Sequence, residues 1–234
     1  MQLFYQENIT GEAFDLDPTE SNHLGKVLRK AIGDLVHFTN GKGSLFTCRI
    51  VDNNPKKCRL EVVEHTFSPR ENFHIHLAVA PTKNTDRIEW MLEKITEIGF
   101  HEITFLRTVN IERNRVNLER MLKKIISASK QSGKVWLPVI NDLDDYEAFV
   151  TDKAFDTYQR FIAYVDKDNQ SHLMHLAKPE NSYLILIGPE GDFSPGEISL
   201  ALSRGFTPCS LGKQRLRTET AGIIAVHSLN LVNL

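Results

Sequence analysis

The sequence predicts an α/β protein, a mostly parallel sheet covered by helices on both faces, preceded by a smaller β-rich module. Three observations carry that prediction. Short apolar runs such as His74–Ala80 and Tyr183–Ile187 alternate with longer segments whose apolar residues recur every three or four positions. The stretch before residue 70 instead strings short β-rich runs on tight turns. Late in the chain, two glycine-containing segments each stand between an apolar run and a helix start.

In the first module, strands are expected over 34–39, 44–51 and 57–65, joined by Gly41-Lys42-Gly43 and Asn53-Asn54-Pro55 turns. A helix starts at Asp17-Pro18, with Glu20 in its third position. Residues 67–72 read as a linker. The strand His74–Ala80 follows, then a helix from about Asn84 to Gly99 with Ile88, Met91, Leu92, Ile95 and Ile98 on one face. A strand over 103–106 precedes a helix over 118–132 with Leu118, Met121, Leu122, Ile125 and Ile126 inward. Further strands are expected at 161–165, 183–187 and 209–211. The last helix, about Thr220 to Val232, is apolar on more than one face, which predicts burial on two sides.

The 234 residues are 41% hydrophobic and 25% charged, ordinary for a globular chain holding one large or two smaller cores. Cys48, Cys58 and Cys209 form no close-spaced pair, which argues against a disulfide framework or a zinc ribbon. His172 and His175 stand one helical turn apart without a third ligand, and His74 and His76 share a strand face, so both pairs read as structural and no metal is expected. Met1–Glu7 lack the basic region and apolar run of a signal peptide, and no stretch reaches the length of a membrane span; the expectation is a cytoplasmic protein.

The net charge of −2 conceals an asymmetry. Residues 74–140 carry eleven Lys/Arg against seven Asp/Glu, whereas residues 141–234 carry eight against thirteen. Arg107, Arg113, Arg115, Arg120, Lys123, Lys124, Lys130 and Lys134 make up most of the basic excess, which suits either phosphate contacts or a solvated helix face.

Ile187-Gly188-Pro189-Glu190-Gly191 ends an apolar strand and precedes Ser194, Pro195 and Glu197, a cap, first-turn proline and capping-box glutamate in order. Leu211-Gly212-Lys213-Gln214-Arg215-Leu216-Arg217-Thr218-Glu219-Thr220-Ala221 repeats the logic ahead of the last helix. A strand, a glycine loop and a capped helix form a ligand-binding edge in open α/β sheets. The first loop lacks the Lys-Ser/Thr ending of a triphosphate cradle, and Gly41 and Gly43 lack the third glycine of a dinucleotide site. Glu190 and Asp192 suit a cationic or zwitterionic ligand without naming it.

These two segments resemble the ribosomal RNA uridine-N3 methyltransferase family of the SPOUT superfamily. The resemblance continues through His23-Leu24, Val27-Leu28-Arg29, Gly33-Asp34 and Gly41-Lys42-Gly43 near the start of the chain. Lys83, Asp86-Arg87, Glu89-Trp90, Lys94, Thr96-Glu97-Ile98-Gly99, Gln131-Ser132-Gly133 and Pro138 match in the middle. The chain departs from the pattern at Asp192, where the family usually has glycine, and at Gln214-Arg215, where an arginine-isoleucine pair is usual.

The resemblance implies a PUA-like β-barrel RNA-binding domain over 1–70 and a SPOUT methyltransferase domain with a C-terminal trefoil knot over 73–234, assembled as a homodimer. It implies S-adenosyl-L-methionine as methyl donor and N3 of a specific uridine in 16S ribosomal RNA of the small ribosomal subunit as acceptor. The cofactor contacts it implies are Leu186, Ile187, Gly188, Pro189, Glu190, Gly191, Leu211, Gly212, Leu216, Arg217 and Thr218; the RNA contacts are Lys26, Arg29, Lys83, Arg87 and Arg107. Uridine N3 carries a proton at neutral pH, so a base or a stabiliser of the developing anion is needed. Arg217 fits as the stabiliser, and Glu219 as the base or as the group that orients Arg217. Ribose 2′-hydroxyl methylation on the same fold, or a non-catalytic role in ribosome assembly, are the alternative expectations.

Overall fold

The computed structural model describes residues 2–165 and 171–234. The chain forms two compact units, Met1–Arg70 with Ser129–Leu137, and Glu71–Ala128 with Pro138–Leu234.

In the first unit, β1 (Leu3–Tyr5), β2 (Ala13–Asp15), β3 (Leu35–Thr39), β4 (Ser44–Asp52) and β5 (Arg59–Phe67) pair in the order β1-β3-β4-β5-β2. The β1–β3 pair is parallel and the others antiparallel, with irregular register along β4 and β5. Alternation along β4 drives Phe46, Cys48 and Ile50 into a core with Phe4, Leu24, Val36, Phe38 and Leu60. Asp17 caps α1 (Pro18–Asn22) by accepting from the Thr19 and Glu20 amides at 2.8 and 2.9 Å. A π-helical turn, His23–Val27, continues α1 and presents Lys26 to solvent. Arg29, also exposed, follows with φ of 53°. Phe67 closes β5 instead of opening the linker. β1 and β2 are three residues each, too short for alternation to announce them.

The second unit is built on six parallel strands: β6 (His74–Val79), β7 (Glu102–Arg107), β8 (Val139–Asp145), β9 (Gln159–Ala163), β10 (Ser182–Ile187) and β11 (Thr207–Cys209). Their order is β11-β9-β10-β6-β7-β8. Between them run α2 (Thr85–Ile98), α3 (Leu118–Ser132), α4 (Tyr146–Thr151), α5 (Leu173–Leu176) and α6 (Pro195–Ser203), and α7 (Thr218–Val232) follows the last strand. Ala78, Leu184 and Leu186 point to one face of the sheet, where Tyr146, Phe149, Val150 and Ala201 of α4 and α6 close a core over them. Leu77 points to the other face and lies against Gly222 of α7, which in turn packs on Met91 of α2.

The last helix departs from its expected burial. Gly222, Ala225, Val226, Ser228 and Leu229 are buried, whereas Ile223 is half-buried and His227 and Leu231 are exposed on a stripe of four-residue spacing. One side of α7 is therefore closed within this chain and the other is open. Among the described residues no helix is long and apolar enough to cross a membrane.

Candidate active site

Strand order locates the site. From β6 the chain steps to β7 and β8 on one side; from β10 it passes to β11 on the other. Connections leaving neighbouring parallel strands in opposite directions open a crevice at their carboxyl ends, where open α/β sheets bind ligands. The loops leaving β6 and β10 meet there. Ala80 N donates to Ile187 O at 3.0 Å, and Lys83 N donates to Glu190 Oε1 at 3.2 Å. Leu186 and Ile187 are buried strand residues, and Gly188-Pro189-Glu190-Gly191 forms the lip.

The second loop is seated on the first. Thr218, the first residue of α7, donates from Oγ1 to Gly188 O at 2.9 Å, and Arg215 Nη2 reaches Glu190 O at 3.4 Å. These bonds bring 188–191 and 215–219 together although they follow different strands, β10 and β11. Leu211 and Leu216 are half-buried, and Gly212 holds φ of 133°, a backbone that side-chain-bearing residues rarely adopt. A Cβ at Gly212 would meet no atom within 4 Å, so space is open beside it.

Asp192 sits at φ of 62°, in the left-handed region where glycine is at ease and Asp is tolerated. Its carboxylate accepts from Phe193 N at 2.8 Å and Val165 N at 2.9 Å. The carboxylate thus bonds the loop's own backbone at Phe193 and ties the loop to the chain leaving β9 at Val165, which accounts for an acid at a position where glycine is usual. Asn110 closes the loop from outside by donating to the carbonyls of Gly191 and Asp192 at 3.3 and 3.0 Å. Behind it, Glu197 completes the capping box with Ser194 and accepts from Val109 N at 2.8 Å.

Glu219 has only 7% of its side chain exposed, and its Oε2 is buried without a hydrogen-bond partner. Its Oε1 lies 3.8 Å from Nε of Arg87. Arg217, the other residue expected at the reaction, makes no ion pair among the described residues; its side chain is exposed and it caps α7 through its backbone alone. Arg87, unlike Arg217, lies beside a carboxylate, that of Glu219. Lys83 extends to Glu112 at 2.9 Å, and Arg107 stands exposed at the end of β7. Arg113 donates to Lys83 O at 2.9 Å and lines, with Arg115, Arg120, Pro81 and Ile88, a cavity of about 230 Å³.

At the start of the sheet, His74 and His76 both face Glu102, at 3.2 and 3.7 Å. His76 Nε2 bonds Thr104 Oγ1 at 2.8 Å, and Asn141 donates to Glu102 and Thr104. His172 caps α5 by accepting from Met174 N, which places it outside the helix that His175 belongs to. Among the described residues no group of side chains is arranged to hold a metal. Burial pushes the Cys48 and Cys209 thiols up to about 12, which makes them packing groups and not nucleophiles.

Fold and site together define a parallel α/β domain whose two switch-point loops meet beside a buried carboxylate. Comparison with known proteins sharpens this. The RNA methyltransferase domain model matches residues 69–230, and the RNA methyltransferase PUA domain model matches residues 16–63. A protein described as a probable rRNA-methyltransferase from Porphyromonas gingivalis superposes with a TM-score of 0.93 and 38% identity, covering 100% of this chain and 98% of its own. Ribosomal RNA small subunit methyltransferase E from Neisseria gonorrhoeae, solved bound to S-adenosyl methionine, superposes with a TM-score of 0.90 at 25% identity, with 100% and 98% covered. Ribosomal RNA small subunit methyltransferase E of Buchnera aphidicola is 26% identical, over 97% of this chain and 92% of that one. This chain belongs to the RNA methyltransferase family, with a PUA domain and a mixed α/β fold.

Proposed function

We propose that the protein transfers a methyl group from S-adenosyl-L-methionine to N3 of a uridine in the 16S ribosomal RNA of the small ribosomal subunit. The observation that carries this reading is the joining of Gly188 to Thr218 at the switch point, beside the buried Glu219. The residues fit the cofactor: the space beside Gly212 is open and the loops around it offer backbone groups. In this reading Leu186, Ile187, Gly188, Pro189, Glu190, Gly191, Leu211, Gly212, Leu216, Arg217 and Thr218 hold it. When bound, S-adenosylmethionine supplies an electrophilic methyl group on a sulfonium sulfur that leaves as a neutral thioether.

The chain's own residues supply the rest. Glu219 accepts the N3 proton, the N–H electron pair stays on N3, and that pair forms the bond to the methyl carbon. Arg217, exposed and without an ionic partner among the described residues, offers its guanidinium to the uracil oxygens as negative charge develops. Lys26, Arg29, Lys83 and Arg107 contribute basic groups for the RNA backbone. The five-strand order of the first unit supports a PUA-like barrel over 1–70, and the seating of 215–219 against 188–191 supports a trefoil knot within 73–234. The open stripe of Ile223, His227 and Leu231 on α7, with exposed Trp90 on α2, supports a homodimer through these helices. Its setting is the cytoplasm, where small subunits are assembled.

Incubating the protein with labelled S-adenosylmethionine and small ribosomal subunits lacking the modification tests the reading. Label in 16S RNA supports it; cofactor binding without transfer to any small-subunit RNA overturns it.

A further inference from the structure

The family resemblance assigns Arg87 to RNA; in the structure its Nε lies 3.8 Å from Oε1 of Glu219. Helices α2 and α7 lie side by side and run the same way. Arg87 stands beside Glu219 at their starts, Met91 beside Gly222 one turn later, and Gly99 O accepts from Asn230 Nδ2 at 2.8 Å at their ends. Three contacts in step fix the rotation of each helix against the other. Arg87 is thereby held over the Glu219 carboxylate by the packing of the two helices.

We propose that Arg87 is a positioning residue for Glu219: it holds the carboxylate through Oε1 and leaves Oε2, which has no hydrogen-bond partner in the fold, to the reacting N3–H. The inference rests on the reading of Glu219 as base. A carboxylate oxygen buried without a donor is destabilising. A fold keeps such a group where a ligand completes it. The N3–H of a bound uracil is a donor of the right kind. Arg87 itself is only 40% exposed and its Nε is turned to Glu219, a poor presentation for phosphate. Lys83, at 79% exposed, and Arg107 are better placed for that.

The test is a kinetic cycle on small ribosomal subunits lacking the modification, with wild type, Arg87→Met, Arg87→Lys, Glu219→Gln and the double variant Arg87→Met/Glu219→Gln. Calorimetry with S-adenosylmethionine reports on the intact site independently of turnover. Arg87→Met is expected to lower kcat roughly tenfold to a hundredfold with the RNA KM within about twofold, because alignment is lost and binding is not. Arg87→Lys recovers part of kcat, and the double variant is no slower than Glu219→Gln, as for residues acting as a unit. A raised RNA KM with unchanged kcat makes Arg87 an RNA contact and overturns the inference, as do independent, multiplying effects in the double variant. If Arg87→Met loses cofactor binding through misfolding, Arg87→Lys decides by the same split. A Glu219→Gln variant with wild-type turnover overturns the base assignment and this inference while methyl transfer stands; absence of transfer by the wild type overturns the proposed function itself.

Discussion

Gly222 sets the distance between α7 and α2, since a Cβ on it would stand 2.6 Å from Sδ of Met91, which is itself completely buried. The same approach brings Glu219 within reach of Arg87 one turn earlier. Gly222→Ala therefore overpacks a seam that cannot relax into solvent. It is expected to destabilise the protein by about 1–3 kcal/mol in urea unfolding. Pairing it with Met91→Ala recovers part of the overpacking but leaves a cavity, so neither double nor single variant matches wild type.

Asp192 allows its backbone conformation and its carboxylate to be separated. Asp192→Gly keeps φ of 62° accessible and loses the bonds to Val165 and Phe193; Asp192→Ala loses both. Alanine is expected to be worse than glycine by about 1 kcal/mol, from the left-handed backbone alone. Thermal melts of the two variants against wild type check the order.

Glu197 ties the start of α6 to the chain leaving β7. Its oxygens accept from Ser194 N at 2.7 Å and Val109 N at 2.8 Å in a buried setting. Glu197→Ala leaves both amides unpaired and removes the capping box, at a cost of about 2–4 kcal/mol. Because Asn110 adjoins Val109 and closes the 188–191 loop, cofactor affinity falls with stability in calorimetry.

The histidines at the start of the sheet give a pH dependence of stability. Burial lowers His76 to about 4 against the opposing charge of Glu102, with His74 lowering it further. An unfolded histidine titrates near 6.5. Between those values the unfolded chain takes up a proton that the folded chain refuses, so this contribution is complete above about pH 6.5 and shrinks as pH falls toward 4. His76→Gln is expected to flatten the stability profile across that window by on the order of 1–3 kcal/mol, read by urea unfolding at stepped pH. Glu102 adds a second, lower window: burial raises its carboxyl, yet the hydrogen bond from His74, the charge of His76, the hydrogen bond from Asn141 and the charge of His74 together outweigh burial and hold it at about 2, so its stabilisation fades below the ordinary carboxylate range.

Much of the second unit was legible because its signals are local. The helix over Thr85–Ile98 announces itself by the spacing of Ile88, Met91, Leu92 and Ile95, and Ser194, Pro195 and Glu197 mark the start of α6 in three letters. The strand Val139–Asp145 escaped notice because three aspartates interrupt it, which an edge position tolerates. The strand expected at 209–211 forms two residues earlier, at Thr207–Cys209, because Ser210 already turns into the loop. What local pattern does not contain is pairing across the chain. Nothing near Arg87 announces Glu219, and nothing near Gly188 announces Thr218; those partners are set by crossover topology. The open stripe of α7 was invisible for a related reason, since periodicity gives apolar faces but not how many of them one chain covers.

Mass spectrometry of nucleosides from 16S RNA, after incubation of undermethylated small subunits with the protein and S-adenosylmethionine, tests the central claim most directly. The account predicts 3-methyluridine with the wild type and a loss of about a hundredfold or more with Glu219→Gln while cofactor binding persists. A methyl group on ribose in place of the base, or 3-methyluridine formed at full rate by Glu219→Gln, would contradict it.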